Sequence, residues 1–275
     1  MERSDRVVTI TKITTQKNNA ERFNIFIDQG QGEEYGFSVD QDILIQFKLQ
    51  KGKTIDLIEM QQVLAEDRIK KGFNLSLKYL SFRMRTELEV IQYLQSKEYV
   101  DDEIAKVLSK LKDYNFLNDE EYANAFVRTK KNTGNKGPAI ISQQLKKKGV
   151  QQALIEQSLG QFSYAEQLQQ VITFIEKQHQ KNKRESEQAY RQKVTRQLLS
   201  KGFTYEVIEE AYHVIKTSQQ DEEEWEAISY QGEKAKKKYA HLQGTEYRYK
   251  IKQWLYQRGF AIALIDKYLA EEDES

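Results

Sequence analysis

The sequence predicts a mainly α-helical protein: tandem three-helix repeats in an elongated, curved array, preceded by a small N-terminal antiparallel β unit. Three observations carry that prediction. One apolar template recurs four times, as Leu94, Tyr99, Ile104, Leu108; Leu145, Val150, Ile155, Leu159; Leu198, Phe203, Ile208, Tyr212; and Leu255, Phe260, Ile265, Leu269. The offsets within each copy are the same and successive copies lie 51, 53 and 57 residues apart, which is the self-similarity of a repeat architecture. Each copy also reads as a helix end, a tight turn and a new helix, with Gly149, Gly202 and Gly259 at three of the turns and Glu98 at the first; glycine reaches positive φ at little steric cost. The opening residues, by contrast, alternate apolar and polar positions with period two.

Taken in order, residues 1–58 form the β unit. Residues 7–13, 22–27 and 43–49 are rich in β-branched and aromatic side chains, and Asn18-Asn19, Gln29-Gly30-Gln31-Gly32 and Lys51-Gly52-Lys53 separate them as turns. Three to five short strands are expected, packed on the first helices because so small a sheet is marginal alone. Repeat 1 spans 59–118, with Gly72 as a break in its first helix, Thr86 and Glu89 as a capping box, and Asp101 as the N-cap of its third helix. Repeat 2 spans 119–161. Asn115 ends the preceding helix, Asn118 and Glu121 start the next, and Pro138, the single proline, fits a first helical position because the N–H it lacks has no partner there. Repeat 3 spans 162–219 and opens on a second capping box, Ser163 to Glu166; repeat 4 spans 220–275.

Composition suits such an array. A charged fraction of 31% against 39% hydrophobic residues leaves much surface in water. Cysteine is absent, so disulfides and thiolate metal sites are excluded. The first residues hold no apolar signal core and no apolar run approaches membrane-spanning length, so a cytoplasmic, membrane-free protein is expected.

Catalytic chemistry finds no support. His179, His213 and His241 stand alone on separate helices without metal-ligand spacing. Asp101-Asp102-Glu103 and Asp119-Glu120-Glu121 fall where helix N-termini attract acids, and no phosphate-binding glycine motif is present. A protein without enzymatic activity, cofactor or metal is expected. The net charge is +1, yet Arg128, Lys130, Lys131, Lys136, Lys146, Lys147 and Lys148 lie in one stretch without an acid. That stretch is the candidate contact surface for an anionic partner, and Arg83 and Arg85 extend it. Lys181-Asn182-Lys183-Arg184 reads as a linker, the lysines from Lys234 to Lys238 as a solvated helix face, and Trp225 and Trp254 as inter-helix packing.

Several motifs resemble the RecX regulatory family. They are Tyr79-Leu80-Ser81-Phe82-Arg83-Met84-Arg85-Thr86-Glu87-Leu88-Glu89, then Phe116-Leu117-Asn118-Asp119-Glu120-Glu121-Tyr122-Ala123 with Ala125-Phe126-Val127-Arg128, then Lys136-Gly137-Pro138 with Ile141, Leu145, Lys148-Gly149-Val150 and Ile155. The resemblance is dense over about residues 75–160, and the β unit and fourth repeat are similar to the longer members from Gram-positive bacteria. Glu98 and Asn115 depart from the family's usual glycine, and Asn118 from its usual aspartate. The resemblance implies a monomeric, non-enzymatic regulator that binds the RecA nucleoprotein filament and restrains its strand exchange, ATP hydrolysis and stimulation of LexA cleavage. DNA phosphates are a second target for the basic stretch. The rival expectation is a DNA-binding protein built of helix-turn-helix-like modules, although no repeat shows an obvious recognition helix.

Overall fold

The computed structural model describes residues 7–134, 136–179, 184–215 and 220–273. The N-terminal hexapeptide, Asn135, the Lys181-Asn182-Lys183 linker and the end of the acidic tail lie outside them. The chain divides into two compact units, Met1–Tyr122 with Lys148–Gln151, and Ala123–Lys147 with Gln152–Ser275.

The first unit begins with strands β1 (Val8–Gln16), β2 (Asn19–Asp28), β3 (Glu33–Asp40) and β4 (Thr54–Ile55), with helix α1 (Gln41–Gln46) between the last two. The sheet is antiparallel in the order β3-β2-β1-β4. Val8, Ile10, Ile25, Ile27, Phe37 and Val39 form its buried face, together with Ile43, Leu49, Ile55 and Val63. The expected strand over 43–49 is therefore corrected: β3 lies earlier, and Ile43 opens a helix. Asp40 decides this locally, because its side chain accepts the Asp42 N–H at 3.1 Å and starts α1. Ile43 and Leu49 are still buried against the sheet, so these apolar positions belong to the core although the backbone that carries Ile43 is helical.

Helix α2 (Leu57–Leu80) follows, then α3 (Glu87–Gln95) and α4 (Asp101–Asp113). Arg22 joins sheet to helix: its guanidinium meets both carboxylate oxygens of buried Asp67 at 3.1 and 3.2 Å, and Asp67 also accepts the Asp40 N–H at 2.8 Å. Gly72 does not break α2. A Cβ there would lie 2.8 Å from the Tyr99 ring, so this glycine lets the first turn of the array pack onto the helix. The N-cap of α4 is Val100 rather than Asp101, with Glu103 reaching back to the Val100 N–H at 3.1 Å. The other caps stand as read: Thr86 with Glu89, Asn118 accepting from Glu120 and Glu121, and Ser163 with Glu166.

Helix α5 (Asp119–Asn132) leads into the second unit, which holds α6 (Pro138–Lys147), α7 (Gln152–Leu159), α8 (Tyr164–His179), α9 (Glu187–Ser200), α10 (Tyr205–Ile215), α11 (Gln220–Tyr239), α12 (Gly244–Tyr256) and α13 (Ile262–Asp273). The template residues are core. Leu94, Leu145, Leu198 and Leu255 are all completely buried, as are Ile155, Ile208 and Ile265. Burial of each such side chain contributes about 1.5–3 kcal/mol. All four turns take the same left-handed residue, at φ 62° for Glu98, 82° for Gly149, 90° for Gly202 and 87° for Gly259.

One joint recurs between repeats and accounts for the glycines. The turn of each later repeat sits on the start of the middle helix of the repeat before it. The carbonyl preceding the glycine accepts from that helix start: Lys148 O from Thr86 Oγ1 at 2.7 Å, Lys201 O from the Gly137 N–H at 2.7 Å, and Arg258 O from Ser186 Oγ at 2.5 Å. A Cβ on the turn glycine would lie 2.6 Å from Leu88, 2.6 Å from the Ile140 nitrogen or 2.9 Å from Ser186. The next free N–H of the helix start is also satisfied. Asp119 accepts it from Glu87 at 2.8 Å, and Glu224 accepts it from Glu187 at 2.8 Å. At the middle joint, where Gly137 meets Lys201, that position is Pro138, which has no N–H to satisfy. The Glu98 turn belongs to the first repeat and rests on no earlier middle helix. The Glu98 carbonyl itself accepts from Arg68 Nη2 at 2.6 Å, and the Glu98 side chain is exposed.

Candidate functional site

The structure sorts the nine cations of the candidate surface into different roles. In the first unit Arg83, Arg85 and Lys148 converge on one carboxylate. Glu89 accepts from Lys148 Nζ at 3.0 Å and from Arg83 Nη2 at 3.1 Å, with Arg85 Nη1 3.9 Å away. Its other oxygen accepts the Thr86 N–H as half of the capping box. Burial pushes the Glu89 carboxyl up, but the Thr86 N–H, Lys148 and Arg83 outweigh it and hold the group below its ordinary range. Lys148 is disfavoured by burial too, yet Glu89 and Tyr122 raise its affinity for the proton overall. Arg85 lies 4.2 Å over the Tyr79 ring, which stacks on Tyr93 at 4.2 Å, and only 15% of the Arg85 side chain is exposed. Arg85 and Lys148 thus hold the first joint together, while Arg83, 53% exposed, keeps a face toward solvent.

In the second unit Lys131 is also structural. Its ammonium bridges Gln161 O and Glu166, both at 2.8 Å, which ties α5 to the start of α8. Burial is not the cause of the low Glu166 carboxyl; the Lys131 hydrogen bond is the largest effect, followed by the Ser163 N–H. Lys130 lies 5.2 Å over Phe126. Lys136 is half-buried next to Gly137, in the loop that meets the third repeat's turn. Arg128, Lys146 and Lys147 are exposed and make no ion pair among the described residues. Lys146 and Lys147 occupy the last turn of α6, where the helix dipole favours cations.

The sequence could not show this division. Lys148 and Glu89 are 59 residues apart and Lys131 and Glu166 are 35 apart, so an acid-free stretch in the chain is not an acid-free surface in space. The capping motifs at Thr86 and Ser163 were the available signal, since each names the glutamate that later receives the lysine. Among the described residues no group of three or more His, Asp or Glu side chains is placed to hold a metal ion. His179 meets Glu223 at 3.3 Å and stands edge-on to Tyr190. No described helix is long and apolar enough to cross a membrane.

Comparison with known proteins matches five stretches of the chain. The model described as the regulatory protein RecX N-terminal domain matches residues 8–56. Those for the first and second three-helix domains of RecX match 73–111 and 118–159. The model for the third three-helix domain matches twice, at 165–212 and 221–269. The regulatory protein RecX of Halalkalibacterium halodurans is 46% identical over 261 residues, covering 94% of this chain and 98% of its own. That of Bacillus subtilis is 40% identical over 264 residues, covering 96% and 98%. A crystal structure of a regulatory protein RecX superposes with a TM-score of 0.66 at 32% identity, over 75% of this chain and 99% of that one. The crystal structure of RecX from Lactobacillus salivarius gives 0.53 at 35% identity, over 55% and 97%. With every three-helix group matched and relatives aligned over nearly the whole chain, the protein belongs to the RecX family of regulatory proteins.

Proposed function

We propose that this chain is a monomeric cytoplasmic regulator that binds the RecA nucleoprotein filament and inhibits its recombinase, ATPase and coprotease activities, with no chemistry of its own. Membership of a family named for regulation supports the reading, and so do Arg128, Lys146 and Lys147, exposed cations that make no ion pair among the described residues. The contact residues are Arg128, Lys146 and Lys147 in the second unit, with Lys130 and Lys136 there at lesser exposure, and the exposed Arg83 in the first unit. Arg85, Lys131 and Lys148 support the scaffold that presents them. The partner is an anionic polymer surface, formed by acidic grooves of RecA or by the phosphates it carries.

The observation that carries this assignment is the paired exposure of Lys146 and Lys147 at the end of α6. Lys146→Glu with Lys147→Glu is expected to abolish inhibition of RecA's DNA-dependent ATPase while the circular dichroism spectrum stays that of the wild type. Lys148 is left intact, because its reversal would break the Glu89 joint and confuse loss of contact with loss of fold. Full inhibition by the double variant would exclude this surface. The salt dependence of binding divides the two sources of negative charge: release of condensed counterions from phosphates gives a steep linear fall in log affinity, whereas protein acids show only ordinary screening.

A further inference from the structure

The joint between the third and fourth repeats is built without the acid on which the first joint depends. In the first joint the Glu89 carboxylate accepts the Thr86 N–H at 3.1 Å and Lys148 Nζ at 3.0 Å, so one side chain serves both partners. The matching residues of the later joint are Ser186 for Thr86, Arg258 for Lys148 and Ala189 for Glu89. Ser186 Oγ still caps its helix, accepting the Ala189 N–H at 3.2 Å. Alanine cannot supply the carboxylate. The Ser186 N–H, in a residue only 1% exposed, has no acceptor among the described residues, and a buried N–H left so is costly.

Arg258 pairs with no acid among the described residues either. Its guanidinium lies 3.4 Å from the centre of the Trp254 ring and donates to Trp254 O at 3.2 Å, and burial lowers its pKa. Beside these groups runs a groove of about 570 Å³, lined by Ser186, Ala189 and Arg258 and by the amides of Gln188, Gln192 and Gln231. Its size suits one small organic molecule. Gln231 Nε2 donates to Arg184 O at 2.7 Å, while Gln188 and Gln192 are exposed.

Acids stand at the start of α9 and on α11. Glu185 lines the groove and binds Lys193 at 2.8 Å, Glu223 meets His179 at 3.3 Å, and Glu233 binds Lys236 at 2.8 Å. Glu224 accepts the Glu187 N–H at 2.8 Å, and Glu187 and Glu226 are exposed. Together they oppose a polyanion, whose successive charges would meet them. Arg258 balances one negative charge.

We propose that this groove binds one carboxylate of a small polar organic acid, held by Arg258 and the Ser186 N–H, with the glutamine amides meeting the rest of the molecule. The ligand's carboxylate takes the place that Glu89 holds in the first joint. A planar carboxylate suits a guanidinium fork and an N–H together, and side-chain amides both donate to and accept from a polar remainder. The inference rests on neither RecA nor DNA and goes beyond the regulatory reading.

The test titrates the full isotope-labelled chain with N-acetylglycine, a monocarboxylate with one amide, and follows the Ser186 and Gly259 amide signals by NMR. Saturable shifts of both are expected, and none with the uncharged N-acetylglycinamide. Arg258→Gln should weaken binding about tenfold or more, the usual contribution of a charge-assisted hydrogen bond. Ala189→Glu supplies the acid from within the chain, so it should move the Ser186 signal without ligand and abolish the titration. A blocked glycyl-glutamyl-glycine peptide is expected to bind more weakly than N-acetylglycine; tighter binding would overturn the assignment to a small acid in favour of a partner protein's side chain. Equal shifts with N-acetylglycinamide or inorganic phosphate overturn the proposal. So does an Ala189→Glu protein that binds as the wild type does, or a wild type that shows no saturable shift. RecA is absent throughout, so failure here would leave the ATPase experiment on Lys146 and Lys147 intact.

Discussion

Replacing the turn residue of two repeats should have opposite effects, because the joint exists at one turn and not at the other. Gly202 sits at φ 90°, and a Cβ on it would lie 2.6 Å from the Ile140 nitrogen and 2.8 Å from Ile140 Cγ1. Gly202→Ala therefore incurs a left-handed backbone penalty of about 1–2 kcal/mol. It also forces rigid backbone apart, an overpacking cost of about 1–3 kcal/mol. Loss of unfolded-chain entropy returns roughly 0.4–1 kcal/mol. The net loss is about 3 kcal/mol, or roughly 6–12 °C in the melting of a unit of this size. Glu98 has the same left-handed geometry, at φ 62°, but no neighbouring helix start. Glu98→Gly relieves the backbone penalty, keeps the Arg68 hydrogen bond because a carbonyl accepts it, and should leave stability unchanged or raised by up to about 1 kcal/mol. Differential scanning calorimetry of both variants reads the two effects. A Gly202→Ala protein that melts within 2 °C of wild type, or a Glu98→Gly protein that loses stability comparably, would refute the account of the joint.

Asp67→Asn should release the β unit from α2 at a cost of about 3 kcal/mol, since a half-buried Arg22 is left without its carboxylate. Burial pushes Asp67 up, but Arg22, Lys71 and the Asp40 N–H outweigh it and lower the group below its ordinary 3.8. That stability is full above the ordinary value and lost as pH falls through the lower folded one; urea unfolding below pH 4 should show the loss in wild type and not in the variant. Asp119 behaves oppositely, because burial raises its carboxyl although it accepts the Glu87 N–H. Asp119→Asn should match or exceed wild-type stability at pH 7, and urea midpoints should show the difference vanish as pH falls and the native acid takes up its proton. Thr86→Ala removes both the cap and the bond to Lys148 O, so it should cost about 1–2 kcal/mol, read as a drop in urea midpoint with unchanged slope.

Local sequence determined what depends on near neighbours. The offsets from Leu94 to Leu108 and their three echoes specify a helix, a left-handed turn and a second helix, because burial has to recur on one helical face. The capping boxes at Thr86 and Ser163, the first-position Pro138 and the left-handed Asn115, at φ 58°, follow from short-range hydrogen bonding and sterics. Residues 43–49 show the limit: a β-branched run reads as a strand until Asp40, by capping Asp42, makes it a helix. Tertiary structure decided the rest through partners far along the chain. Why three turns need glycine and one does not is settled by whether an earlier helix start lies against the turn. Which lysines meet solvent is settled by Glu89 and Glu166, brought to Lys148 and Lys131 by the packing of consecutive repeats. Charge in a sequence is counted along a line, whereas an ion pair forms across the few ångströms that folding closes.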